Sequence, residues 1–226
     1  MDPQAPPTTQ AENPRQATDT AGDLSDDFLV MKFQAGDRNA FRILFDRYRE
    51  RVRNVVYNIL HDVSALDDMA QEIFLRVYDG LSNFRFDSAF STWLYRIAVN
   101  RCRDEIRKRR IRRVFSLQAI MESGNGKMLS SLASCPPGEP DIGDAIREAL
   151  ARLPDRYRIP VVLRDIEGFR YEEIAQITQT ETGTVKSRIA RGRAILRTLL
   201  SPYRDGRPLS SRKERKDGTM NDETIA

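Results

Sequence analysis

The sequence predicts an all-α protein of two small helical domains joined by a flexible linker, with a disordered tail at each end. Three observations carry that prediction. Large apolar residues recur at three- and four-residue steps over 25–112 and again over 141–201. No segment combines β-branched alternation with an Asn-Gly hairpin turn, the mark of paired strands. Of the remaining stretches, 113–140 is rich in Ser, Gly and Pro, while 1–24 and 202–226 carry Pro and charge with few large apolar groups. Such segments bury too little surface to offset their ordering entropy.

Composition narrows the class. The chain has 226 residues, room for one or two compact units. Its 37 Lys and Arg against 33 Asp and Glu leave +4, a modest excess that matters only through its placement. Cys102 and Cys135 are too few for a disulfide framework or a four-ligand zinc site, and are read as ordinary reduced thiols. The lone His61 argues against a Ser-His-Asp mechanism and excludes a multi-histidine metal centre. No apolar run approaches the roughly 20 residues that cross a bilayer, and the start, MDPQAPPTTQAENPRQ, is no secretion signal. The expectation is a soluble, cytoplasmic, non-enzymatic chain with no metal, no cofactor and no membrane insertion.

In the first block, Ser25 before Asp26 and Asp27 predicts a helix cap and an acidic first turn. Gly36-Asp37 interrupts that helix. Phe41, Leu44, Phe45, Tyr48, Val52, Val55, Val56 and Ile59 then mark one face of a long helix. His61-Asp62 begins a turn, and Ser64 is placed to cap the next helix. That helix packs inward through Leu66, Met69, Ala70, Ile73, Phe74, Val77 and Leu81 and ends at Gly80. The loop SNFRFDSAF leads to a last helix from about Ser91 to Arg110.

In the second block, a helix runs from near Asp141 to Pro154. Another, DRYRIPVVLRDIE, stops at Gly168 and kinks at Pro160, which lacks a backbone donor. YEEIAQIT, the short turn QTET and a basic helix from near Gly183 form a helix-turn-helix pattern, closed by Ser201-Pro202.

Two faces are basic. Along TGTVKSRIARGRAILR, Val185, Ile189, Gly192, Leu196 and Leu199 fall on one stripe. Lys186, Ser187, Ala190 and Arg191 fall opposite it. A helix so divided docks its apolar side and lays the other in a major groove, with Lys and Arg meeting phosphates. The bland alternative is a solvated basic face. The other run, RCRDEIRKRRIRR, continues a face of Arg96, Asn100, Arg103 and Arg107, with Trp93 and Ile97 flanking it. Phe84, Phe86, Phe90 and Tyr95 lie close in sequence. Basic residues beside aromatics suit unstacked single strands, although several rings, Phe90 and Trp93 first, equally suit the core.

These strings resemble the extracytoplasmic-function (ECF) sigma factors of bacterial RNA polymerase, closest to the sigma-E-like group. GDRNAFRILFDRYRERV, DDMAQEIFLRVY, FDSAFSTWLYRIAVNRCRDEIR, LPDRYRIPVVLRDIEG and YEEIAQIT…GTVKSRIARGRAIL follow the family's order from about residue 26 to 200. The resemblance implies that 25–112 is sigma region 2, which binds core polymerase and recognises and melts the minus-ten element. It implies that 141–201 is region 4, the helix-turn-helix that reads the minus-thirty-five element as duplex. Asp68, Gln71 and Glu72 match the residues that grip the β′ clamp. Asn100 matches a minus-ten contact, with Arg96, Arg103 and Arg107 on its face. Phe84, Arg85, Phe86, Asp87, Ser88, Ala89, Phe90 and Ser91 match the loop that captures a flipped non-template base. Lys186, Ser187, Ala190 and Arg191, with Thr184 and Arg188 beside them, match the minus-thirty-five readers. Core RNA polymerase (β′ clamp and β flap), promoter DNA and an anti-sigma factor are the implied partners.

The chain departs from the pattern at Arg170, where a Ser cap is usual, and at Gly192, where Ala is usual; each costs about 1 kcal/mol unless compensated. A stand-alone helix-turn-helix regulator would share 141–200 but has no use for DDMAQE or the aromatic loop. A nucleotide-binding loop at GNGKM fails, because Met128 stands where Ser or Thr is required and Met121 where a Gly is.

Overall fold

A computed structural model describes residues 24–122 and 142–204, and every described element is helical. In order they are α1 (Asp26–Gln34), α2 (Arg38–Leu60), α3 (Leu66–Leu81), α4 (Phe90–Glu122), α5 (Ile142–Arg152), α6 (Asp155–Val161), a π-helical turn (Val162–Ile166), α7 (Tyr171–Thr178) and α8 (Thr182–Arg204). Of the tails expected at 1–24 and 202–226, residues 1–23 and 205–226 lie outside the described residues, as do most of the linker and Cys135.

Local chemistry explains most boundaries. Ser25 caps α1 by accepting the Phe28 amide at 3.3 Å, and Gly36 follows the helix at φ 100°. Asp37 caps α2 through the Asn39 amide, and His61 closes it in the left-handed region at φ 51°. Gly168 takes φ 73° after the π turn, as its helix-stop role requires.

Several expectations need correction. Ser64 does not cap α3: Ala65 stands at that position, while the Ser64 hydroxyl donates to Asp62 Oδ1 at 2.6 Å. Asp62 has captured the hydroxyl that would have served the helix. The helix placed at 91–110 begins at Phe90 and runs on to Glu122, because IRRVFSLQAIME holds no Gly or Pro. The first part of the linker is therefore helical. Likewise α8 continues through Pro202 to Arg204, since a proline forfeits its own donor without ending the turn beneath it. Pro160 disturbs its helix just downstream, where the bonds lengthen to the π pattern.

The two departures are compensated. At α7 the Arg170 side chain has no acceptor to offer, but its amide donates to Glu173 Oε2 at 2.6 Å, half of a capping box. At Gly192 a Cβ would stand 2.6 Å from Val161 Cγ2, so the missing side chain lets α8 close on α6.

α1, α2, α3 and α4 pack around Leu44, Val52, Val55, Ile59, Ile73, Val77 and Leu94. α5 to α8 pack around Ala149, Leu163, Ile174, Ile177, Val185 and Ile189. The two sets also meet, α4 lying on α7 and α2 against α5, in one buried cluster.

Candidate nucleic-acid interface

The α4 face is built on rings that the aromatic loop sends inward. Phe90, 1% exposed, and Phe84, also buried, face each other at 6.4 Å and touch Trp93 at 6.1 and 5.2 Å. They are floor, not capture surface. Phe86 is the aromatic left outside, 40% exposed, on a backbone of positive φ (60°). Above this floor lies a cavity of about 570 Å³, walled by Asn83, Arg85, Asp87, Ser88, Trp93 and Arg96. Trp93 is seated against Gly80, where a Cβ would come within 3.0 Å of its ring. Ala89 is exposed and Ser91 partly buried at the start of α4.

Along α4, Asn100 is half-buried and Arg107 exposed. Arg103 donates from Nη1 to the Thr178 carbonyl at 3.1 Å, across the seam with α7. Burial, and then the nearby Arg188, hold its pKa below the ordinary guanidinium value. Gln176 of α7 and Gln179 just past its end complete the wall of the cavity. No pattern in the sequence announces those two.

The α8 face differs. Lys186, Ser187, Ala190 and Arg191 are exposed, and Thr184 and Arg188 partly so, while Val185 and Ile189 are buried beneath. Lys186 leans over the Tyr171 ring at 5.7 Å, and the Ser187 hydroxyl donates to the Thr184 carbonyl at 2.9 Å. Arg193, one of the charges in the basic run, is tied to Asp165 and so holds α8 to the π turn.

The third surface is a groove between α2 and α3, enclosing about 540 Å³. Phe45 and Phe74 meet edge-on at 4.7 Å in its floor, as do Phe41 and Tyr78 at 5.0 Å. Phe41 and Phe45, counted as core from their spacing, are only partly buried and line this groove. Leu75, 57% exposed, adds an apolar edge.

The acidic-amide trio divides over this surface. Gln71 lines the groove, as does Asp67, whereas Asp68 is exposed and is not among its lining residues. Glu72 turns toward α4, accepting from Arg101 Nε at 2.6 Å and from Arg76 at 2.9 Å. The Arg101 donation above all holds its carboxyl below the usual range. Arg101 also lies 3.7 Å from buried Glu105, which accepts from Arg109 and Arg112. Sequence reasoning had counted these arginines only as charge. Cys102, fully buried on the same helix, has its thiol pushed up to about 12 by burial, so it is an inert core residue.

No helix among the described residues is long and apolar enough to cross a membrane.

Comparison with known proteins follows the two halves. Residues 44–112 match the model of sigma-70 region 2, and residues 143–196 that of sigma-70 region 4. The chain is 34% identical over 182 residues to the RNA polymerase sigma-H factor of Pseudomonas aeruginosa, covering 78% of this chain and 94% of that protein. It is 35% identical over 186 residues to the ECF RNA polymerase sigma-E factor of Escherichia coli K12, covering 79% and 96%. Among solved structures, the sigma factor RpoE of Bartonella quintana, in complex with the anti-sigma factor NepR, superposes with a TM-score of 0.57 at 25% identity. That alignment covers 71% of this chain and 96% of the other.

Proposed function

Because this chain belongs to the ECF sigma factors, in the sigma-E-like group, we propose that its three surfaces divide the work of promoter-specific initiation among clamp, duplex and parted strand. As a sigma factor it directs transcription by core RNA polymerase and carries no reaction of its own. A stand-alone regulator would leave the match of 44–112 to region 2 without a purpose.

The reading takes 25–112 as the polymerase-binding and strand-binding domain and 141–201 as the duplex-reading domain. The α2–α3 groove, with Gln71 in its lining and Asp68 exposed on the same helix, receives the β′ clamp. Glu72 serves by fixing α3 against α4 through Arg101. The exposed edge of α8 enters the major groove of the minus-thirty-five element. Lys186 and Arg191 meet phosphates or base edges, and the small Ala190 permits close approach. Arg96, Asn100, Arg103 and Arg107 follow the minus-ten strand, and the cavity under Arg85 and Trp93 takes one flipped base. Stacking there returns roughly 1–3 kcal/mol per base, comparable with the few kcal/mol that unpairing costs. Opening is then a population shift, since the site favours the parted strand over the duplex. The protein works in the cytoplasm, where its polymerase and promoters are, under the control of an anti-sigma factor such as the Bartonella relative carries.

One observation carries this reading: a single chain presents an exposed basic edge on α8 and, separately, an aromatic-floored basic cavity on α4. The test is transcription in vitro with core polymerase on genomic DNA, with start sites mapped. New starts sharing two spaced elements are expected; no starts beyond those of core alone would overturn it.

A further inference from the structure

Two different forces hold α4 to the rest of the first domain. Apolar packing holds its first half, through a central row of Phe90, Leu94, Ala98 and Cys102. That row tapers from large side chains to small ones, and low ridges define the rotation of a helix weakly. Past Cys102 the buried residue is Glu105, a carboxylate, while Ile106 is partly buried and Ile111 is 50% exposed.

Charge takes over where the row ends. Arg101 donates from Nε to Glu72 Oε2 at 2.6 Å, and its Nη1 lies 3.7 Å from Glu105 Oε2. Arg109 donates from Nε to Glu105 at 3.0 Å and stands 2.8 Å from Asp62 in the turn after α2. The signs alternate along this ladder, and its middle is sheltered, with the Arg101 side chain 16% and that of Glu105 10% exposed. Both oxygens of Glu72 are engaged within the protein, one by Arg101 and the other by Arg76. α3 is fixed independently by its own apolar row of Met69, Ile73, Val77 and Leu81. The Glu72–Arg101 pair therefore sets α4 on α3, not the reverse. Sheltered ion pairs add little net stability over apolar substitutes, and their best-attested use is to select one geometry.

We propose that Arg101 is a positioning residue for strand capture: tied to Glu72 of α3, it fixes the rotation of α4 and with it the direction of Asn100. Successive residues of a helix point about 100° apart, so Arg101 can face α3 while Asn100 beside it faces the strand. On a helix of about 5–6 Å outer radius, a turn of about 20° carries a side-chain tip roughly 2 Å, more than a hydrogen bond to a base tolerates. The inference rests on the assignment of Asn100 and α4 to the minus-ten strand. It adds that the strand face takes its bearing from the clamp-binding helix through one ion pair, and that Arg101 acts without touching DNA or polymerase.

The experiment uses the full-length protein at saturating core polymerase, on a promoter drawn from the mapped starts. Arg101→Met keeps the stem and removes the charge; Arg101→Lys keeps the charge and removes the Nε donor. The opening rate, read by permanganate reactivity, is expected to fall roughly tenfold in Arg101→Met and by less in Arg101→Lys. In Arg101→Met, Glu72 keeps Arg76, and Glu105 keeps Arg109 and Arg112, so neither carboxylate is left unpaired. The melting midpoint, core affinity and duplex binding should therefore stay near wild type, a split that a damaged fold does not produce. Glu72→Met combined with Arg101→Met should open no more slowly than Arg101→Met alone, because both remove one tie. An unchanged opening rate in folded Arg101→Met, a slowing matched by lost stability, or defects that add in the double variant would overturn the role. If Arg101→Met does not fold by circular dichroism, Arg101→Lys decides alone, and wild-type opening there has the same force. Asn100→Ala, run in parallel, separates the two ideas. Slow opening in Asn100→Ala beside normal opening in Arg101→Met sinks only the positioning role. Normal opening in Asn100→Ala sinks the strand assignment beneath it.

Discussion

The helices α4 and α8 are both basic and both assigned to DNA, yet they are built in opposite ways. α8 rests a narrow apolar stripe on its neighbours and leaves Lys186, Ser187, Ala190 and Arg191 in solvent. α4 is gripped on several sides. Phe90, Leu94, Ala98 and Cys102 enter the core, Arg101 pairs with Glu72 of α3, Tyr95 meets Glu167 and Phe169 just before α7, and Arg103 meets Thr178 at its end. A helix that reads intact duplex needs only a rigid mount and a free edge. A helix that holds separated strands needs a pocket, and a pocket requires walls from other elements.

The largest effect should separate those two modes. Lys186→Ala with Arg191→Ala should weaken duplex binding by about 1–3 kcal/mol for each base-reading side chain removed and flatten its salt dependence. Asn100→Ala should leave duplex binding unchanged and slow promoter opening roughly tenfold, about 1.4 kcal/mol. Filter binding in a salt series and permanganate footprinting of the polymerase complex measure the two. Equal weakening of duplex binding in both variants would erase the distinction.

A smaller effect tests the mount. Gly192→Val adds two methyls where even a Cβ approaches Val161 to 2.6 Å, so the second domain should lose about 1–3 kcal/mol by overpacking. Thermal melting should show that loss, with duplex binding falling in parallel and the α4 cavity untouched.

The smallest effect concerns the end of α2 that faces α6. Burial first, and Arg158 second, push the His61 imidazole down to about 4. Its folded-state pKa lies below the unfolded value of about 6.5, so the unfolded chain binds the extra proton between those limits. The neutral form's contribution is complete above about pH 6.5 and is lost as pH falls toward 4. His61→Asn keeps a residue tolerant of φ 51° and should flatten that part of the stability curve. Denaturant midpoints for both proteins across the window check it; identical slopes would refute the role given to His61.

Sequence reasoning and structure part company at identifiable places. The helix order and helix-turn-helix pattern were legible because three- and four-residue periodicity survives any packing partner. Boundaries slipped where a local competitor intervened, as when Asp62 took the Ser64 hydroxyl. They slipped again after Arg110, where no breaker stands, and at Pro202, where a suspected stop proved too weak. Phe84 and Phe41 show the deeper difficulty. Each is one apolar letter in the chain, yet Phe84 is buried beneath a cavity and Phe41 is left partly exposed in a groove.

The sequence by itself determined that the chain is all helical, that its charge gathers on two helices, and that it resembles sigma factors. Those properties depend on residues near one another along the chain, where periodicity, caps and motif spacing are written directly. The closure of α7 over α4 was decided only in three dimensions. So were the division of Asp68, Gln71 and Glu72 among different surroundings, and the hold of Arg101 on Glu72. Tyr95 and Glu167 are 72 positions apart, and no local pattern says that a hydroxyl in one domain will meet a carboxylate in the other. Such pairings follow from how two packed bodies meet, where shape and buried polarity, summed over the whole seam, choose the partners.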